Sequence, residues 1–217
     1  MIFELSIQEI VFLVPILLLS LSVHEFAHGW VSSLLGDKTP RMEGRLTLNP
    51  LRHLDLWGTL MLLTVGFGWA KPVHINIDSY KKKYQGLVMT SLAGPLSNLL
   101  IAIVFTFFLR IIIMTESLAF LQVGAVITVI QYVLIINVLL FVFNLIPIPP
   151  LDGSRVITAI FNKKQNFIMN YNRLGVYLLL GILLINRVMD VEILPIGRLM
   201  GGILTLMIKL IIPDIAG

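Results

Sequence analysis

Residues 86–109 carry no charged side chain, and residues 117–151 carry none either. Runs of that length decide what the chain can fold into. About 20 consecutive apolar residues suffice to cross a bilayer as a helix. In lipid every backbone N–H and C=O must find a partner within the protein, which leaves helices or closed barrels. A third apolar stretch covers residues 7–35. Two shorter ones, 174–186 and 199–212, are flanked by Arg173, Arg187, Arg198 and Lys209, whose side chains can snorkel to the interface. Composition agrees: the chain is 57% hydrophobic and 13% charged, against about 25% charged in a soluble domain. The expected fold class is an all-α membrane protein, a polytopic helical bundle of about five transmembrane helices. Its 217 residues fit one membrane-embedded domain, 1–217, with a core over 7–160 and a C-terminal helical hairpin over 168–213. The first stretch lacks a basic leader and a small-residue cleavage site, so it reads as a span rather than a signal peptide. There is no cysteine, which excludes disulfide and thiolate chemistry.

The net charge of +4 reads through topology rather than as a nucleic-acid signature, because the basic residues flank apolar spans. Residues 36–85 hold eight Lys and Arg, residues 111–124 none, and residues 161–173 three. Positive-inside bias then places the first and third connections in the cytoplasm, the second outside, and the amino terminus outside. The C-terminal ends of the first and third spans share the cytoplasmic side. Within the first connection, "RLTLNPL" and "KPVHINI" alternate enough to predict a short membrane-associated β-rich segment. Between them "LWGTLMLLTVGFGWA", with three glycines, is apolar enough to dip into the interface.

Against this background the stretch "SVHEFAHGW" stands out. It puts His24, Glu25 and His28 inside the first span. Ionisable groups at membrane depth cost about 2.5–3.5 kcal/mol each on insertion scales and are functional by default. Residues four apart share a helix face, so both histidines can address one ion, with Glu25 positioned to reach a water on it. That spacing suits zinc. The competing structural reading, interhelical polar glue, suits a lone histidine better than three groups at this spacing.

A catalytic zinc usually has three protein ligands and an open fourth position. Asp152, in "FNLIPIPPLDGSRV", is the carboxylate next to the third span. Pro147, Pro149 and Pro150 stop the helix and impose extended backbone, and Gly153 permits a tight turn. The carboxylate is thereby presented on a rim on the same side as "HEFAH". Asp152 could instead cap a following helix. His74 is an alternative or additional ligand, and His53 reads as a surface or loop-packing histidine.

With these residues in hand, the chain resembles the site-2 protease family of intramembrane zinc metalloproteases. The resemblance rests on "HEFAH", "GFGWAKPV", "SLAGPLSN" and "NLIPIPPLDG", in that order between residues 24 and 153. It implies that His24, His28 and Asp152 bind one zinc ion and that Glu25 is the catalytic acid/base. It further implies that Asn144 positions substrate or stabilises the oxyanion. "GFGWAKPV" resembles a strand and loop region near the substrate path, and "AGPLSN" a core packing motif without a catalytic role. "VHIN" follows the proline where relatives often have another proline, and Ser154 stands where glycine is frequent; neither touches an expected ligand. With neither a PDZ nor a CBS domain, the chain resembles the minimal prokaryotic branch. The expected function is hydrolysis of peptide bonds in or near transmembrane segments of membrane proteins, in the cell membrane of a prokaryote, with the site opening to the cytoplasm. An intramembrane metal-ion transporter is the alternative from another class; internal repeats and paired broken helices, which transporters commonly show, are not visible in the sequence.

Overall fold

The computed structural model describes residues 7–58, 70–115, 124–189 and 193–211. Among these residues six helices are longer than eight residues: α1 (Ile7–Leu34), α2 (Lys83–Met114), α3 (Gly124–Leu145), α4 (Asp152–Ile160), α5 (Gln165–Met189) and α6 (Ile196–Ile211). Four are long and apolar enough to cross a membrane, namely α1, α2, α3 and α5. The sequence predicted about five spans. The difference is α6, whose 16 residues reach about 24 Å at 1.5 Å per residue, short of a 30 Å hydrocarbon core. The protein is a multi-pass membrane protein, all-α in class.

Two sequence periodicities assemble the bundle. On α1, Ser20, His24, His28 and Ser32 recur every fourth residue, and all four are buried. On α2, Gly86, Thr90, Gly94, Asn98, Ala102 and Thr106 do the same. Small and polar residues at this spacing let helices approach closely in lipid, where apolar burial gives no advantage over contact with acyl chains. The stripes meet in antiparallel register, Asn98 against Ser20 and Thr90 against His28. α2 is the hub, packing also on α3 and α4. A dry cluster of Ala102, Ile130, Leu134, Val138 and Met207 joins α2, α3 and α6. Leu19, Leu100, Val104 and Phe107 face outward, as lipid-facing positions should.

The expected β-rich segment is not found among the described residues. Among the described residues the connection between α1 and α2 contains no strand, only one isolated antiparallel bridge between Leu54 and Ala70. The reason lies in where its amides go. Val73 N–H donates to Glu25 and Asn76 N–H to Asp37, while Leu51 N–H is taken by the Asn49 side chain. Pro50 and Pro72 have no N–H to give. Side-chain carboxylates thus replace the partner strand. The apolar stretch at 59–69 lies outside the described residues.

Asp37 organises this connection. α1 ends in a Schellman turn: Asp37 N–H bonds Ser32 O and Gly36 N–H bonds Ser33 O, with Gly36 at φ +107°, a conformation that favours glycine. The turn folds the Asp37 carboxylate back onto Ser32 Oγ (2.8 Å), where it also accepts the amides of Thr39 and Asn76. Burial opposes ionisation of Asp37. The amide of Asn76, the Thr39 group and the Ser32 hydroxyl outweigh that and hold its carboxyl below the usual carboxylate range.

Candidate metal and catalytic site

α1 carries His24 and His28 one turn apart, both about 4% exposed. Their Nε2 atoms lie 3.0 Å from each other. Asp152, from 128 residues along the chain, places Oδ2 at 3.1 Å from each of them. It does so as the first residue of α4, whose N-cap is Leu151; the carboxylate turns to the histidines and makes no cap. A Cβ on Gly153 would sit 2.6 Å from the Leu145 carbonyl carbon, so glycine is what lets the chain reverse between α3 and α4. Ser154 Oγ ties the turn to Leu151 O at 2.6 Å.

Four ligands at the vertices of a tetrahedron around zinc, bound at about 2.0–2.1 Å, stand roughly 3.3 Å apart. The triangle observed here, 3.0 to 3.1 Å on each side, is close to one face of it. The donor set agrees. His28 Nδ1 lies 2.7 Å from the backbone carbonyl of Thr90, and a carbonyl only accepts, so Nδ1 carries the proton and Nε2 a lone pair. His24 Nδ1 lies 2.6 Å from Asn98 Oδ1, with the same consequence. Two imidazole lone pairs and a carboxylate oxygen, all from buried residues, converge at one point, an arrangement that calls for a cation. The residues fit a zinc ion.

These outer contacts follow the pattern by which metal-binding histidines are oriented from behind. Gly94 makes them possible, because a Cβ there would lie 2.6 Å from His24 Nε2 and closer still to His28 Nε2. "AGPLSN" is thus a packing motif whose tight approach also seats the histidine rings. Farther out, Thr90 Oγ1, Tyr80 OH and Ser32 Oγ form a buried chain at 3.0 and 2.8 Å that reaches Asp37.

The group opens into a cavity of about 400 Å³ whose wall includes Glu25, Asn144 and Arg155. Glu25 Oε2 accepts the Val73 amide at 2.9 Å, which fixes one oxygen. Asn144 Nδ2 donates to Leu140 O at 3.0 Å, using one of its two hydrogens. Arg155 Nη1 stands 3.8 Å from Asp152 Oδ1, beside the carboxylate oxygen that faces away from the histidines. Leu179 of α5 closes the apolar side.

Two other histidines do not join. His74 is exposed and pairs with Glu43 at 3.1 Å. His53 is buried, with Nε2 2.8 Å from Thr47 O, and packs the loop. Sequence reasoning missed Asn98, Gly94 and Arg155 as neighbours of the site. The fourfold spacing of small residues through "GLVMTSLAGPLSN" was the signal for the first two.

A helical membrane bundle with a zinc-fitting His/His/Asp group and a glutamate in one cleft belongs to the intramembrane zinc-dependent proteases. Comparison with known proteins narrows this. Residues 110–185 match peptidase family M50. YwhC of Bacillus subtilis, provisionally named a zinc metalloprotease, is 43% identical over 152 residues, which cover 67% of either chain. Rip2 of Mycolicibacterium smegmatis, with the same provisional name, is 30% identical over 149 residues, covering 63% of this chain. Rip2 of Mycobacterium tuberculosis is 28% identical over 141 residues. The chain spans about half the length of the Rip2 proteins, 52% in each case. No solved structure matches it. The chain belongs to peptidase family M50, the site-2 protease family, and is a zinc-dependent intramembrane protease.

Proposed function

We propose that His24, His28 and Asp152 hold the zinc ion, that Glu25 is the general acid/base, and that the substrate is a transmembrane segment of another membrane protein. The observation that carries the reading is the placement of Asp152 Oδ2 at 3.1 Å from both Nε2 atoms, within a cleft that Glu25 also lines. Zinc bound there supplies a Lewis acid for the scissile carbonyl and lowers the pKa of water toward 7. Glu25, held by the Val73 amide, takes the water's proton and returns it to the departing amine. The second Asn144 amide hydrogen serves the developing oxyanion, a role in which one donor is worth about 2.7–4 kcal/mol elsewhere. A substrate helix must unwind to expose its amide, and the apolar walls at Leu21, Leu140 and Leu179 suit a segment drawn from lipid.

We further propose that residues 1–217 act as one membrane-embedded unit in a prokaryotic cytoplasmic membrane, with the cleft on the cytoplasmic side. The charge of the first connection, eight Lys and Arg, supports that orientation. The transporter reading has no support, since the ligating groups converge on one point rather than marking a path. Co-expression with tagged membrane proteins tests the proposal. The parent chain shortens its substrate and Glu25→Gln does not, while both bind zinc. A substrate that is cleaved equally by the Glu25→Gln chain removes Glu25 as the base.

A further inference from the structure

His24 presents a lone pair to the metal position only if its proton sits on Nδ1. What holds it there begins on α3, away from the cleft. Val133 O is a backbone carbonyl and can only accept, and Asn137 Nδ2 lies 2.8 Å from it. That contact fixes which end of the Asn137 amide is nitrogen, and the same nitrogen donates to Ser20 Oγ at 2.9 Å. Asn137 Oδ1 must then face α2, where it accepts from Asn98 Nδ2 at 2.9 Å. Asn98 Nδ2 also reaches the Ser20 carbonyl at 3.3 Å. With its nitrogen committed, Asn98 turns Oδ1 to His24 Nδ1 at 2.6 Å, and an oxygen there requires Nδ1–H. Asn98 and Asn137 are both fully buried, where leaving a polar group unpaired is costly.

We propose that Asn137 is a positioning residue for zinc: through Asn98 it locks the tautomer of His24 that leaves Nε2 free to bind metal. The inference rests on His24 being a zinc ligand. Asn98 has a second acceptor in the Ser20 carbonyl, but that contact is long at 3.3 Å, and the shorter 2.9 Å bond to Asn137 Oδ1 is the main one keeping its NH₂ turned away from the ring. His28 needs no such relay, since a backbone carbonyl cannot turn over. The histidine served by a side chain has a second side chain behind it, and the one served by Thr90 O has none.

The competing role is interhelical glue between α1, α2 and α3, which bears on folding and not on the metal. Two variants of the full chain in detergent separate the roles. Asn137→Leu fills the space without an acceptor for Asn98. Asn137→Asp keeps an oxygen toward Asn98 and, protonated in this buried place, an O–H toward Val133 O. Zinc affinity is read by competition with a chelating dye, and the melting temperature of the zinc-free chain is read beside it. Loss of an outer partner of a metal ligand typically costs 10–100-fold in affinity. The proposal expects Asn137→Leu to bind zinc about tenfold more weakly or worse, whatever its melting temperature, and Asn137→Asp to bind close to the parent. Folded Asn137→Leu with the parent's zinc affinity overturns it. Equal weakening in both variants also overturns it, making residue 137 a packing position. If His24 is no ligand at all, His24→Ala keeps the parent's zinc affinity, so that failure is told apart from failure of the relay.

Discussion

Gly94 and His28 touch where no other residue would allow it. A Cβ on Gly94 would fall well inside van der Waals contact distance of His28 Nε2 and 2.6 Å from His24 Nε2. The close approach of α2 to α1 therefore does two things at once, packing the helices and setting both rings. Gly94→Ala should leave the helix intact, since alanine is the better helix former by about 0.8–1.0 kcal/mol. It should abolish zinc binding, because the methyl pushes both rings aside. Metal analysis of the purified variant, beside its circular dichroism, checks this. A helical variant with one zinc per chain would show that the rings have room to spare.

Glu25 depends on the connection it bonds to. Replacing Val73 by proline removes the only N–H that the Val73 backbone has to offer Glu25 Oε2. General acid–base catalysis contributes about 10²–10⁴-fold, and a loosely held carboxylate forfeits part of it. Val73→Pro is expected to slow cleavage at least tenfold with zinc content unchanged. A rate equal to the parent's would mean that the amide does not position Glu25.

Asp37 ties the end of α1 to the loop that carries Val73. Its carboxyl titrates below the usual range in the folded chain. A depressed carboxylate pKa contributes stability above the unfolded value of about 3.9, and that contribution is lost as pH falls through the lower folded value. The parent should therefore melt at progressively lower temperature below about pH 4, and Asp37→Ala should show a shallower dependence there. At neutral pH the variant should be less stable by about 1–3 kcal/mol, since the Asn76 and Thr39 amides lose their acceptor. Melting curves in detergent from pH 3 to 7 provide the comparison.

Arg155 offers a contrast in magnitude. Its guanidinium is about a third exposed and 3.8 Å from Asp152 Oδ1. Pairs so exposed and so long are worth about 0.2–1 kcal/mol, or at most about fivefold in an equilibrium constant. Arg155→Ala should lower zinc affinity by no more than that. A larger loss in a chelator titration would assign Arg155 a direct part in holding Asp152.

Much of the candidate site was legible because its chemistry is concentrated. Two histidines four residues apart with a glutamate between them in an apolar span, and a carboxylate beyond a proline run, have few explanations in lipid. The spans were legible for the same reason, down to the helix containing residues 174–186. The β-rich segment was misread because alternation in "KPVHINI" predicts a strand only if the amides find a partner strand. Here Glu25 and Asp37, 48 and 39 residues away, take them instead, and no local pattern announces that. The partners behind the histidines escaped for a related reason. Asn98 and Asn137 are ordinary polar residues within their own helices, and their meaning arises only where α1, α2 and α3 meet.

The central claim is that His24, His28 and Asp152 bind one zinc ion together. X-ray absorption at the zinc edge, on the full chain in detergent, tests it most directly. The expected first shell holds two imidazole nitrogens and oxygen at about 2.0–2.2 Å, and Asp152→Ala should lower zinc occupancy or change the oxygen shell. A first shell with one imidazole or none, or a spectrum and occupancy untouched by Asp152→Ala, would contradict it.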